Sequence, residues 1–213
     1  MTPPVEERLP TADARPVPTA LVGRQTVLRP YTAGFTEAEL ERLYRWACDA
    51  DLVQLTSGMP LDVSFEAFKA MFEASAARHS ASRDALFAIL RADGGLIGRA
   101  GLFGVDRQDG SAELGVVIGD RRAWNRGLGR EVAALLVRHA FDTLGRDTVT
   151  LRTYPDNVRA RRAFAAAGFR VVGERRRFTL DRGLHTEVEM RVRRGDVPPS
   201  ASTAGDPRRF PPA

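Results

Sequence analysis

A short strand that runs through a two-glycine loop into a long amphipathic helix constrains this chain more than any other feature. Glu113-Leu114-Gly115-Val116-Val117-Ile118-Gly119 is a β-type run. After Asp120 to Ala123 come Trp124-Asn125-Arg126-Gly127-Leu128-Gly129-Arg130-Glu131. A helical stripe of Leu128, Val132, Leu135, Leu136 and Ala140 then predicts a helix over Gly127 to Thr143. Glycines let a backbone approach a ligand closely. The first N–H groups of a helix have no intrahelical partner, and the helix dipole favours negative charge there. Arg126 and Arg130 add positive charge at the same point. Together these features suit a pyrophosphate, although Gly-x-Gly before a helix also serves as a plain tight turn.

The rest of the pattern alternates strands and helices. Thr26 to Arg29 reads as a strand stopped by Pro30, and Glu37 to Asp49 as a helix with Leu40, Leu43, Tyr44 and Ala47 at helical spacing. Ser64 N-caps a second helix whose Phe65, Phe68 and Phe72 share a face. Leu86 to Arg91 and Leu96 to Phe103 form a hairpin around Asp93-Gly94-Gly95. Ala112 to Ile118 and Val149 to Thr153 are further strands, and Asn157 to Ala167 is a helix ended by Gly168. Phe169 to Arg177 and Leu184 to Val192 close the order as a hairpin around Asp181-Arg182-Gly183. Mixed α/β order with antiparallel hairpins argues against a doubly wound dinucleotide fold. Residues 1–20 and 195–213 are Pro-rich and poor in apolar residues, so the folded domain is expected over 21–194, with disordered tails.

Composition narrows the function classes. Of 213 residues, 43% are hydrophobic and 28% charged, an ordinary globular balance. No apolar run approaches the ~20 residues that span a bilayer, and the N-terminus lacks a signal pattern, so a cytoplasmic protein is expected. Cys48, the sole cysteine, sits in a helical pattern and reads as core; His79, His139 and His185 have no ligand spacing, so no metal is expected. The net charge of +5 comes almost wholly from Arg, with Lys69 the single lysine, and forms no clustered stripe. Nucleic-acid binding is therefore not expected.

The segment from Arg121 to Arg130 resembles motif A of the GNAT superfamily of acetyltransferases, Gln/Arg-x-x-Gly-x-Gly/Ala. Trp124 stands at the first position. That departure is common in the ribosomal-protein N-terminal (RimJ/RimL-like) branch. Asn157-Val158-Arg159-Ala160 to Phe164 and Ala167-Gly168-Phe169 are similar to motif B, and the likeness runs from Thr26-Val27-Leu28-Arg29-Pro30 to Glu187-Val188-Glu189-Met190. The resemblance implies a GNAT fold: an α/β (α+β) domain with a mostly antiparallel twisted sheet of about seven strands flanked by helices, splayed between strands 4 and 5. It implies acetyl-CoA as co-substrate, with pantetheine against Val116, Val117 and Ile118. Arg126, Gly127, Leu128, Gly129 and Arg130 would hold the pyrophosphate, Trp124 and Asn125 would belong to the same cofactor site, and Asn157 would bind the pantetheine arm or cap its own helix N-terminus.

Amide formation needs a neutral amine and a protonated leaving thiolate. Glu113, which shares a face with Gly115, is the candidate base. Phe164 stands where many relatives carry a tyrosine acid, and Ala160 and Thr179 stand where some ribosomal-protein members carry Ser and Glu; Tyr154 is the fallback donor. Trp46, Asp49 and Asp51 are candidates to meet a cationic acceptor. The expected partner is an amine, most naturally a protein N-terminus, on a monomer or homodimer. A small-molecule amine acetyltransferase and a non-catalytic acyl-CoA-binding module are the alternatives.

Overall fold

The computed structural model describes residues 19–196, apart from Ser57, Arg83, Asp106 and Asp181, with the side chains of 80 and 81 also left aside. The Pro-rich tails lie outside the described residues except for 19–20 and 195–196, as does Asp181 of the expected turn. One eight-stranded sheet organises the chain. Its strands are β1 (Leu21–Val22), β2 (Thr26–Pro30), β3 (Ala85–Arg91), β4 (Leu96–Phe103), β5 (Ser111–Ile118), β6 (Thr148–Thr153), β7 (Arg170–Thr179) and β8 (Gly183–Arg193). The order is β1-β2-β3-β4-β5-β6-β8-β7. Only the β5–β6 pair is parallel. The eighth strand is β1, whose two residues are too short to carry periodicity.

Two layers of helix flank this sheet. On one face lie α4 (Leu128–Arg138) and α5 (Val158–Ala166). Leu128, Val132, Leu135 and Leu136 of α4 are buried in one core with Leu28, Phe87, Ile89, Leu102, Leu151 and Met190 of the sheet. Burying a large aliphatic side chain stabilises by about 1.5–3 kcal/mol, so α4 is fixed chiefly by this stripe. The predicted helix over Gly127 to Thr143 is α4 followed by a π-helical turn at His139–Thr143.

On the other face, at the β2–β4 end, α1 (Glu37–Cys48) and α3 (Phe65–Ala81) form a smaller core from Leu40, Leu43, Phe68, Ala88 and Leu96. The helix starts follow from local chemistry. Thr36 and Glu39 make a reciprocal capping box, and the Ser64 hydroxyl accepts from the N–H of Ala67. Arg29 also donates to Glu39 at 2.8 Å. Burial alone would raise the Glu39 pKa, but the bonds from Arg29 and Thr36 win and lower it. A four-residue helix, α2 (Ala50–Val53), follows α1 and is capped by Asp49. No described helix is long and apolar enough to cross a membrane.

Candidate functional site

Between β5 and β6 the sheet comes apart. Ser111, Ala112 and Glu113 pair with Thr148, Val149 and Thr150, after which the two strands pair only with their outer neighbours. Gly98 lies opposite Ile118, and the Gly119 N–H donates to the Ile97 carbonyl. In antiparallel alternation that leaves the backbone groups of Val116 and Ile118 pointing into the gap. Two cavities meet there, and Leu55, Thr56, Val116, Val117, Asn157 and Phe164 line both.

The first cavity, about 420 Å³, runs along β5, the Trp124–Arg130 loop and α5. Asn125 and Gly127 have positive φ (60° and 78°), which turns the chain so that α4 starts abruptly. Glu131 N–H donates to Gly127 O at 3.1 Å, so the amides of residues 128–130 precede the first intrahelical bond of α4. A Cβ built on Gly127 would meet nothing within 4 Å, and one on Gly129 only the Ala163 Cβ at 3.9 Å. The small residues therefore keep the space over a helix N-terminus open, which fits a pyrophosphate. Trp124 borders it, its Nε1–H donating to Ile118 O at 2.8 Å. The Arg159 guanidinium lies 3.4 Å over the Trp124 ring, and burial pushes its pKa down.

Most of the residues read from the sequence come together here. Val116, Val117, Ile118, Trp124, Asn125, Gly127, Leu128, Gly129, Arg130 and Asn157 line this cavity; Arg126 is exposed and is not among its lining residues. The Asn157 side-chain Oδ1 accepts from Ala160 N–H and caps α5, while its Nδ2 donates to Leu55 O at 3.1 Å. That bond draws the Leu55–Thr56 strap over the junction of the cavities.

The second cavity, about 370 Å³, opens on the Glu113 face of the sheet. Glu113, Arg152, Tyr154, Arg177, Thr179 and Glu187 contribute to its wall. Glu113 Oε1 accepts from both Arg152 Nη2 (2.7 Å) and Nε (3.1 Å). That hydrogen bond is the main cause of the raised Arg152 pKa. Tyr154 is buried, its ring edge-on to His185 at 5.6 Å and covered by the Arg182 guanidinium at 3.7 Å.

The three residues expected to meet the acceptor lie elsewhere. Trp46 packs on Gly119, where an added Cβ would come within 2.1 Å of the indole. Asp49 and Asp51 pair with Arg121 at 2.8 and 3.3 Å, and these bonds raise the Arg121 pKa. None of the three lines either cavity.

Neither Arg159, a spacer between motif positions, nor the Leu55–Thr56 strap carries a local signal that marks it in the sequence. The hairpin register sets Arg177 opposite His185, Thr179 opposite Gly183 and Arg175 opposite Glu187, so that Thr179, Arg177, His185 and Glu187 share one face, and only an exact strand pairing could have shown that. Among the described residues no group of three or more His, Cys, Asp or Glu could hold a metal.

Comparison with known proteins agrees with this geometry. The sequence profile of the acetyltransferase (GNAT) domain matches residues 27–170. No curated protein matches the sequence. Among solved structures, the spermidine N-acetyltransferase from Vibrio cholerae, in complex with CoA and spermine, superposes with a TM-score of 0.68 at 17% identity, covering 82% of this chain and 98% of that one. A GCN5-related N-acetyltransferase from Brucella melitensis gives 0.66 at 23%, covering 85% and 81%. A candidate ribosomal-protein-serine acetyltransferase from Vibrio cholerae gives 0.63 at 18%, covering 82% and 97%. At such identities the likeness establishes the fold.

Proposed function

The chain belongs to the GNAT acetyltransferase family and is an acetyl-CoA-dependent N-acetyltransferase, and from that premise we propose that its acceptor is the free α-amine of a polypeptide. The first cavity would hold acetyl-CoA. The amides at the start of α4, with Arg130 and Arg159, would bind the phosphates, and the Val116 backbone would pair with the pantetheine arm. The thioester would then lie at the junction of the cavities, under the Leu55–Thr56 strap, and the amine would enter from the Glu113 face.

The observation that carries the acceptor class is the charge of that face. Its wall sets Arg152 and Arg177 against Glu113 and Glu187. A polyamine offers only cations and would be served by an excess of carboxylates. A peptide N-terminus offers one cation beside neutral or acidic groups, and a balanced wall suits it. The two aspartates that would add negative charge are held by Arg121 instead. The exposed Phe178, Leu180 and Leu184 at the β7–β8 tip add apolar surface beside the opening, as a longer acceptor would use.

The test is thiol release from acetyl-CoA across peptides with free and blocked N-termini, spermidine and an aminoglycoside. Free N-termini should be acetylated and blocked ones not. A higher kcat/KM for spermidine than for every peptide would replace the acceptor class with a polyamine.

A further inference from the structure

Along the wall of the second cavity, which Thr179 and Glu187 line, and at His185 beside Glu187, three buried polar atoms have no hydrogen-bond partner among the described residues. They are Glu187 Oε2, Thr179 Oγ1 and His185 Nε2. The Glu187 side chain is 10% exposed and that of His185 11%. His185 Nδ1 lies 3.0 Å from the Gly183 carbonyl, which can only accept. Nδ1 therefore carries a proton, and Nε2 faces Glu187 Oε1 at 3.5 Å. The nearest cations stand off: Arg177 Nη1 is 3.8 Å and Arg152 Nη1 3.9 Å from Glu187 Oε2. A buried polar atom left without a partner is costly, because it has given up its hydrogen bonds to water. A group of them calls for a ligand that supplies donors.

A primary ammonium supplies three N–H donors. We infer that Glu187, with His185 beside it, receives the acceptor's ammonium and takes its proton, while Thr179, farther along the same cavity wall, bonds the rest of the acceptor. Glu113 is less suited, because Arg152 already binds its Oε1 through two N–H groups and it stands where β5 and β6 still pair. Glu187 stands at the open end of the gap, one residue beyond the Thr153–Val188 pair. The proton balance closes. One ammonium proton passes to Glu187, and the freed nitrogen lone pair forms the C–N bond with the thioester carbonyl carbon. The C–S bond breaks with its electrons on sulfur, the thiolate takes the second nitrogen proton, and Glu187 returns its proton to water. This assignment rests on the acetyl-transfer reading above and does not depend on the acceptor being a peptide.

The experiment compares Glu187→Gln, Thr179→Val and Glu113→Gln with the wild-type chain. Each is assayed with a free-N-terminal peptide, spermidine and hydroxylamine, the last already unprotonated near neutral pH; acetyl-CoA affinity is measured by calorimetry. Glu187→Gln should slow transfer to the protonated amine by roughly 10²–10⁴-fold. Hydroxylamine transfer and acetyl-CoA affinity should stay nearly at wild-type levels. Thr179→Val should raise the KM for the protonated amine and leave hydroxylamine unaffected. Glu113→Gln should fall well short of the Glu187→Gln loss. Wild-type rates in Glu187→Gln, or equal losses with protonated and neutral nucleophiles, would overturn the assignment. Should Glu187→Gln fail to fold, an unchanged KM in Thr179→Val would do the same. Transfer to spermidine but no peptide, with the nucleophile contrast intact, would remove the peptide reading alone. A wild-type chain that binds acetyl-CoA yet acetylates no nucleophile would remove both.

Discussion

The indole Nε1–H of Trp124 donates to the carbonyl oxygen of Ile118 at 2.8 Å, closing one end of the gap between β5 and β6. Trp124 stands at the motif position usually held by Gln or Arg. Here it ties the Trp124–Arg130 loop to the strand edge and seats Arg159 on its ring. Trp124→Phe removes the donor and keeps an aromatic seat. It should cost about 1 kcal/mol, read as a fall in Tm of roughly 2–4 °C, with acetyl-CoA affinity nearly kept. Trp124→Ala removes both contacts and should weaken acetyl-CoA binding about tenfold or more, as should Arg159→Ala, since charge-assisted bonds contribute about 1.5–3 kcal/mol. Wild-type affinity in Arg159→Ala would detach that guanidinium from the cofactor.

Glu131 ties the start of the sheet to α4. Its carboxylate accepts from the backbone N–H groups of Arg24 and Gln25 and from the Thr26 hydroxyl. Glu131→Gln should lower unfolding stability by about 1–3 kcal/mol, measured by urea titration, with acetyl-CoA affinity little altered. An unchanged midpoint would show that the β1–β2 turn holds without it.

His139 opens the π-helical turn after α4. It is 7% exposed, edge-on to Phe87, and burial lowers its pKa. A base whose folded pKa is depressed leaves the unfolded chain binding more protons below the ordinary histidine value of about 6.5. Stability from this site is therefore complete above that value and is lost as pH falls from it towards the folded-state pKa. His139→Gln should flatten this part of a Tm-versus-pH curve. An identical slope in the variant would assign it to another group.

These residues also show what a single sequence can and cannot disclose. The strand–loop–helix from Glu113 to Glu131 was legible because glycine spacing and helical periodicity are local, and the Asn157 cap because capping reaches only three residues. The four residues of α2 and the two of β1 carry too short a pattern to read. The π turn keeps the apolar periodicity of α4 and is hidden within it. Asp49 and Asp51 looked free in the sequence because Arg121 lies 72 and 70 positions away. Thr179, His185 and Glu187 share one face only through the β7–β8 register, where a one-residue slip would turn every side chain to the other face.

The central claim, that acetyl-CoA is held over the N-terminus of α4, is tested most directly by calorimetric titration of the wild-type chain and Gly127→Asp with acetyl-CoA. Gly127 has φ +78° and no atom within 4 Å of an added Cβ, so the side chain would enter the open space of the first cavity rather than the core. Backbone strain should cost about 1–2 kcal/mol of stability, and the new carboxylate would stand where the phosphates are held. The account predicts saturable binding by the wild-type chain and a loss of roughly 10²-fold or more in the variant, about the worth of two charge-assisted bonds, with a native circular dichroism spectrum. Equal affinity in the two proteins would contradict it.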